Sequence, residues 1–176
     1  MVVASRGDAF GLERARRRGV PAFAVVRREH ADSASFSRAV HAVLEPYAPD
    51  LVVLAGFLCK LALGPYSACT LNIHPALIPA FSGKGFYGEH VHRAVLEAGV
   101  KLTGATVHFC DDEYDQGPIV LQEAVVVEHG DTVETLGARV QALERELLPR
   151  AIQLFAEGRL AVEGRRVRIL PPGVRS

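Results

Sequence analysis

The sequence predicts an α/β fold in which a largely parallel sheet is flanked by helices. Three observations carry that expectation. Short apolar runs alternate with segments of helical periodicity over the first two-thirds of the chain, the pattern of β-α-β units. The run Leu51-Val52-Val53-Leu54-Ala55 is apolar without interruption, as in a strand covered on both faces. Thr70 to His74 alternates apolar and polar and then meets Pro75, which cannot donate to a ladder and so ends pairing. The 176 residues are enough for one domain, 1–176, with a substantial core.

Taken in order, Met1 to Ala4 is a short apolar strand. Asp8 can cap a helix from Ala9 to Arg18 that Gly19 closes, and Ala22 to Val26 follows as a second strand. Asp32 to Ser35 offers capping side chains to a helix marked by Phe36, Ala39, Val40, Val43, Leu44 and Tyr47, and Pro49 ends it. After the strands at 51–55 and 70–74, Phe81 to Gly88 is a glycine-rich loop, and Glu89 to Ala98 a helix stopped by Gly99. Thr103 to Cys110 and Ile119 to Val127 are strands, joined by the acidic turn Asp111-Asp112-Glu113-Tyr114-Asp115-Gln116-Gly117-Pro118. Asp131 or Thr132 caps a long helix with apolar Val133, Leu136, Val140, Leu143, Leu147 and Ile152. Gly158 closes it, and a short tail follows.

Several functions are excluded or disfavoured by composition. Basic and acidic side chains balance at 20 each, so bulk electrostatics give no support to nucleic-acid binding. Arg14, Arg16, Arg17 and Arg18 cluster on the first helix beside Glu13, which reads as a solvated face. There is no transmembrane run and no signal peptide. Cys59, Cys69 and Cys110 have no metal spacing and read as buried thiols in a reducing compartment, so a cytoplasmic protein is expected. His90 and His92, two apart on a helix, diverge and cannot clasp one ion. Gly83-Lys84-Gly85 lacks the spacing of a nucleotide-binding phosphate loop and reads as a mobile loop over the active site.

The residues that bear chemistry converge on the strand ending at His74. Alternation sends Asn72 and His74 to one side and Leu71 and Ile73 to the other. The polar pair then stands at the strand's carboxyl end, where open α/β sheets place ligands. An amide there can donate to an oxyanion, and an imidazole can move a proton. Each residue taken alone is as readily a satisfied interior polar group, and Asp115 a turn former.

Several stretches together resemble the phosphoribosylglycinamide formyltransferase family of folate-dependent enzymes. They are Asp8-Ala9-Phe10-Gly11-Leu12-Glu13-Arg14-Ala15, Tyr47-Ala48-Pro49-Asp50, Leu54-Ala55-Gly56-Phe57, Asn72-Ile73-His74-Pro75, Gly104-Ala105-Thr106-Val107-His108-Phe109 and Asp115-Gln116-Gly117-Pro118. Arg139-Val140-Gln141 through Glu144 and the closing Leu170-Pro171-Pro172 also fit. The resemblance covers essentially the whole chain and implies a Rossmann-like formyltransferase fold. It implies transfer of a formyl group from 10-formyltetrahydrofolate, the cosubstrate, to the amine of glycinamide ribonucleotide in purine synthesis, without a metal.

By the same resemblance, Asn72, His74 and Asp115 are the catalytic trio. Asn72 and a protonated His74 are expected to donate to the oxyanion, and Asp115 to relay the proton, directly or through a water, while holding His74 and raising its pKa. Phe57, Leu58, Cys59, Lys60 and Leu61, with Cys110, Asp111 and Asp112, line the folate site. Gln141 and Glu144 face the ribonucleotide, and Thr106 and His108 support the trio. The partners implied are these small molecules, with a monomer or homodimer as the assembly. Relative to the family pattern, the chain begins at the second strand, so the first strand and its phosphate-cradling loop are expected to be lacking. The arginine common near the substrate is also not found at Asp32-Ser33-Ala34-Ser35. The runner-up readings are a formyltetrahydrofolate hydrolase, in which water replaces the amine, and a catalytically impaired folate-binding module.

Overall fold

The computed structural model describes residues 1–111 and 113–175. They fold as two compact units, Met1–Val52 with Phe57–Tyr66, and Val53–Gly56 with Ser67–Ser176.

In the first unit, β1 (Val2–Ala4) and β2 (Ala22–Ala24) pair in parallel, with Val3 opposite Phe23, and α1 (Phe10–Arg17) is the crossover between them. Leu12 and Ala15, three apart, are the buried residues of α1. Its arginines are exposed and Arg17 pairs with Glu13, as expected of a solvated face. Asp8 does not cap this helix. Ala9 holds the cap position, and the Asp8 carboxylate is drawn instead to the Arg6 guanidinium at 2.8 Å. α2 (Ser33–Leu44) starts with a reciprocal cap, in which the Asp32 carboxylate accepts from the Ser35 N–H and the Ser35 hydroxyl accepts from the Asp32 N–H. Phe36, Val40 and Leu44 of α2 and Val25 form the core, with Phe57, Cys59 and Leu61 packed against it. Phe57 stacks on Phe36 at 6.0 Å between ring centroids. The Ser37 hydroxyl accepts the Ala62 N–H at 2.9 Å, which ties the segment after Leu61 to α2.

In the second unit a six-stranded sheet runs β3-β4-β5-β6-β8-β7. Its members are β3 (Val52–Leu54), β4 (Thr70–His74), β5 (Leu102–Phe109), β6 (Ile119–Val126), β7 (Leu160–Glu163) and β8 (Arg166–Ile169). β1 and β2 pair in parallel in the first unit and β6 and β8 do so here, and the structure adds antiparallel ladders at β4–β5, β5–β6 and β7–β8 to the largely parallel sheet expected. The acidic turn after β5 is too short for a parallel crossover, so β6 must return antiparallel. β3 is half-buried rather than covered on both faces, because it heads the strand order instead of lying inside it. The tail after Gly158 is a hairpin, β7 and β8, turning at Gly164-Arg165.

α3 (Glu89–Glu97) and α4 (Val133–Ala156) pack on each other, and α4 also covers β5 and β6. Leu136, Val140, Leu147, Ala151 and Leu154 form its buried stripe at helical spacing. Its start is fastened twice. Thr132 and Thr135 cap each other, and Asp131 accepts two bonds from the Arg139 guanidinium at 2.7 and 2.9 Å.

Within the β5–β6 ladder the backbones approach closely at Gly104 on β5. A Cβ there would lie 2.0 Å from the Glu123 carbonyl oxygen on β6 and 2.8 Å from Leu77 Cδ2. Gly104→Ala therefore forces the two strands apart and is expected to cost about 1–3 kcal/mol or more. A lowered urea midpoint is the readout, and an unchanged midpoint would show that the ladder gives way freely.

Candidate active site

The second unit brings the polar side chains of three strands onto one face. β4 and β5 are paired with Asn72 opposite His108 and His74 opposite Thr106. β6 then sets Gln122 opposite Thr106. Alternation along each strand leaves all five on the same side of the sheet. Asp115 reaches that face from the turn between β5 and β6. Gly117 lets the turn fold back: a Cβ there would fall 1.9 Å from the Phe109 carbonyl oxygen. Asp115 itself has φ +55°, in the left-handed region where Asp is among the better-tolerated side chains.

The geometry assigns the protons. His74 Nε2 is 2.8 Å from the Phe81 carbonyl oxygen, which can only accept, so Nε2 carries a hydrogen. His74 Nδ1 faces Asp115 Oδ2 at 3.5 Å. His108 Nδ1 donates to the Phe109 carbonyl at 2.7 Å, and its Nε2 accepts from Asn72 Nδ2 at 3.1 Å. The second Asn72 N–H points toward Asp115 Oδ1 at 3.5 Å, a long and weak contact. The Gly83 N–H donates to Asp115 Oδ2 at 2.9 Å.

His74 and His108 are nearly inaccessible, at 3% and 2% exposure. Burial lowers the His74 pKa below its ordinary value; the Asp115 carboxylate and the Phe81 carbonyl oppose that effect without overcoming it. Asp115 does raise this pKa, as expected of an adjacent opposite charge, but loss of solvation is the larger effect and the net shift is downward. For Asp115, burial acts upward, but the His108 ring, the Gly83 N–H and His74 outweigh it and hold the carboxyl below its usual range. The site is therefore a neutral imidazole beside an ionised carboxylate at neutral pH.

The Thr106 hydroxyl is engaged away from the trio, although the residue lies directly opposite His74. Its hydroxyl donates to the Ala76 carbonyl at 2.7 Å and accepts from the Ile78 N–H and from Gln122 Nε2. Gln122 was not singled out in the sequence, since only the strand register shows that it lies across from Thr106.

Phe57 to Leu61 belongs to the first unit, where Leu58 and Lys60 are exposed. Cys110 and Asp111 follow β5 directly. The Cys110 N–H donates to the Thr70 carbonyl at 2.8 Å, and burial, with Asp115 and Asp111 adding to it, pushes the thiol up to about 12. Asp112 lies outside the described residues. All three cysteines are half-buried, and none forms a disulfide among the described residues. Gln141 and Glu144 lie on α4. Gln141 is exposed and accepts from Arg145, while burial raises the Glu144 pKa and Arg145 opposes the rise. Among the described residues no group of three or more His, Cys, Asp or Glu side chains could hold a metal, and no helix is long and apolar enough to cross a membrane.

Comparison with known proteins meets this geometry from the other side. Phosphoribosylglycinamide formyltransferase of Escherichia coli is 40% identical over 162 residues, which cover 90% of this chain and 74% of that one. The trifunctional purine biosynthetic protein adenosine-3 of Bos taurus is 41% identical over 171 residues, 94% of this chain but only 16% of that protein. The crystal structure of glycinamide ribonucleotide transformylase 1 from Symbiobacterium toebii superposes with a TM-score of 0.90 at 48% identity, covering 97% of this chain and 79% of that one. The formyl transferase family model matches residues 1–152, and the chain belongs to that family.

Proposed function

We propose that the protein transfers a formyl group from 10-formyltetrahydrofolate to the amine of glycinamide ribonucleotide, directly and through a tetrahedral intermediate. The observation that carries the proposal is the convergence of Asn72, His74 and Asp115 on one sheet face in a chain of the formyl transferase family. The amine attacks the formyl carbon, and the formyl oxygen takes the negative charge. Asn72 donates to it with the N–H that only weakly reaches Asp115. The attacking nitrogen must lose a proton and N10 of the folate must gain one. His74 suits that relay: it is neutral, its Nε2–H is occupied by Phe81, and Nδ1, which faces Asp115 Oδ2 at 3.5 Å, is the nitrogen without a proton. The imidazolium formed is held between the Asp115 carboxylate and the Phe81 carbonyl until the proton passes to N10. The proton count closes without a covalent intermediate.

The remaining candidates fit the same reaction. Leu58 is an exposed apolar side chain of the first unit, beside Phe57, whose ring stacks on Phe36. Cys110 and Asp111 follow β5 directly and would border the folate. Gln141 and Glu144 present hydrogen-bonding groups suited to ribose hydroxyls.

Asn72→Ala should lower kcat about 10²–10³-fold, the loss of one oxyanion donor. His74→Ala should lower it about 10²–10⁴-fold. The check is a spectroscopic assay of folate deformylation with and without glycinamide ribonucleotide. Rates near the parent's would overturn the assigned roles, and formate release indifferent to the ribonucleotide would assign hydrolysis instead.

The titration of His74 has a defined sign. Its folded pKa lies below the unfolded value of about 6.5. The unfolded chain therefore binds more protons, and the contribution of His74 to stability is complete above pH ~6.5 and shrinks as pH falls toward the folded pKa. In Asp115→Asn the charge that opposes the depression is gone, so the midpoint should fall further. NMR titration of the ring in parent and variant measures both.

A further inference from the structure

The relay assigned to His74 works only if Nε2 carries the resting proton, so that Nδ1 is the basic atom. The Phe81 carbonyl imposes that tautomer. Phe81 lies on the irregular segment that leaves β4 after His74, and nothing in an irregular segment by itself sets the direction of a carbonyl to a few tenths of an ångström. Hydrogen bonds from outside the segment do so: beyond Phe81, Asp115 Oδ2 holds the Gly83 N–H at 2.9 Å, and before it three come from β5 and β6. Thr106 Oγ1 donates to the Ala76 carbonyl and accepts the Ile78 N–H. Gln122 Nε2 donates to the Ile78 carbonyl at 2.9 Å and to Thr106 Oγ1 at 2.9 Å. The hydroxyl has one hydrogen and two lone pairs, and these contacts use all three. Its hydrogen can point only at Ala76, because Gln122 and Ile78 both approach as donors. Beyond Ile78 the turn from the Leu77 carbonyl to the Ala80 N–H, 2.9 Å, carries the chain to Phe81.

We propose that Gln122 is a positioning residue: through Thr106 and the backbone of Ile78 it aims the Phe81 carbonyl at His74 Nε2 and so selects Nδ1 as the atom that takes the proton. The proposal deepens the formyl-transfer reading and rests on it for its catalytic consequence, but its structural claim concerns the free protein. Gln122 donates to the Ile78 carbonyl and to Thr106, and its effect passes through the fixed segment.

The test is ¹⁵N–¹H NMR of the histidine rings of the full chain without ligands, in the parent and in Gln122→Met, which keeps the length of the side chain and removes both donors. In the parent the neutral His74 ring should be the Nε2–H tautomer. In Gln122→Met the two tautomers should mix and the titration should move to lower pH, because the Phe81 carbonyl favours the protonated ring. An Nε2-unprotonated parent, or a variant ring that matches the parent, overturns the proposal. Should Gln122→Met fail to fold, Thr106→Val breaks the same relay at its other end, and Thr106→Ser, which keeps the hydroxyl, should match the parent. In the transfer assay kcat should fall by up to about 100-fold with KM moving far less, the signature of a misplaced group. A fall in kcat with an unchanged His74 ring also overturns it. A parent that transfers no formyl group refutes the functional reading alone, since the ring spectra decide the positioning claim on their own.

Discussion

The candidate site depends on one register, that of β4 against β5. With His74 opposite Thr106 and Asn72 opposite His108, four polar side chains share a face, and β6 adds Gln122 to the same row. The period of a strand is two, so a slip by one residue would carry Asn72 and His74 into the core and bring Leu71 and Ile73 out. Leu71, Ile73, Ala105 and Val107 are all buried on the opposite side, which makes such a slip costly. The apolar half of these strands thus guarantees the placement of the polar half. Gly104 and Gly117 serve the same end, since each lets backbone approach backbone where any side chain would force the strands or the turn outward.

Within that frame two opposing terms set the state of the proton relay. Burial favours the neutral imidazole, and the adjacent carboxylate favours the charged one. The balance falls to the neutral form at rest, yet the carboxylate stands ready when the ring takes a proton. A histidine paired as strongly as possible would already be charged and could not act as a base. One buried without a carboxylate could not hold the charge. Asp115 remains ionised, with the Gly83 N–H donating to its Oδ2.

Much of this was legible in the amino-acid order, for identifiable reasons. The Thr70–His74 strand, its stop at Pro75 and the pairing of Asn72 with His74 on one side follow from alternation and from the chemistry of proline. The capping box of α2 and the threonine cap of α4 were likewise visible as side chains of the right type just before an apolar periodicity. The failures share a cause, which is that partners distant in sequence compete for the same group. Asp8 has a capping side chain, but Arg6 takes it. The direction of the His74 shift depends on burial, which no local pattern reports. Gln122 becomes meaningful only when the β5–β6 register is known. The β7–β8 hairpin did carry a signal, two short alternating runs about Gly164, but the runs are brief and largely exposed and read as a tail.

The state of Cys110 bears on how the site can be attacked from outside. With its thiol pushed up to about 12, only roughly one molecule in 10⁵ carries a thiolate there at pH 7. Electrophiles and peroxides react with thiolates, so this sulfur is a poor target for both, although it is adjacent in sequence to the acidic turn that carries Asp115. An electrophile aimed at the site would find Cys110 a weak nucleophile. The same burial and negative surroundings leave that sulfur chemically silent under oxidising conditions that would modify an exposed cysteine.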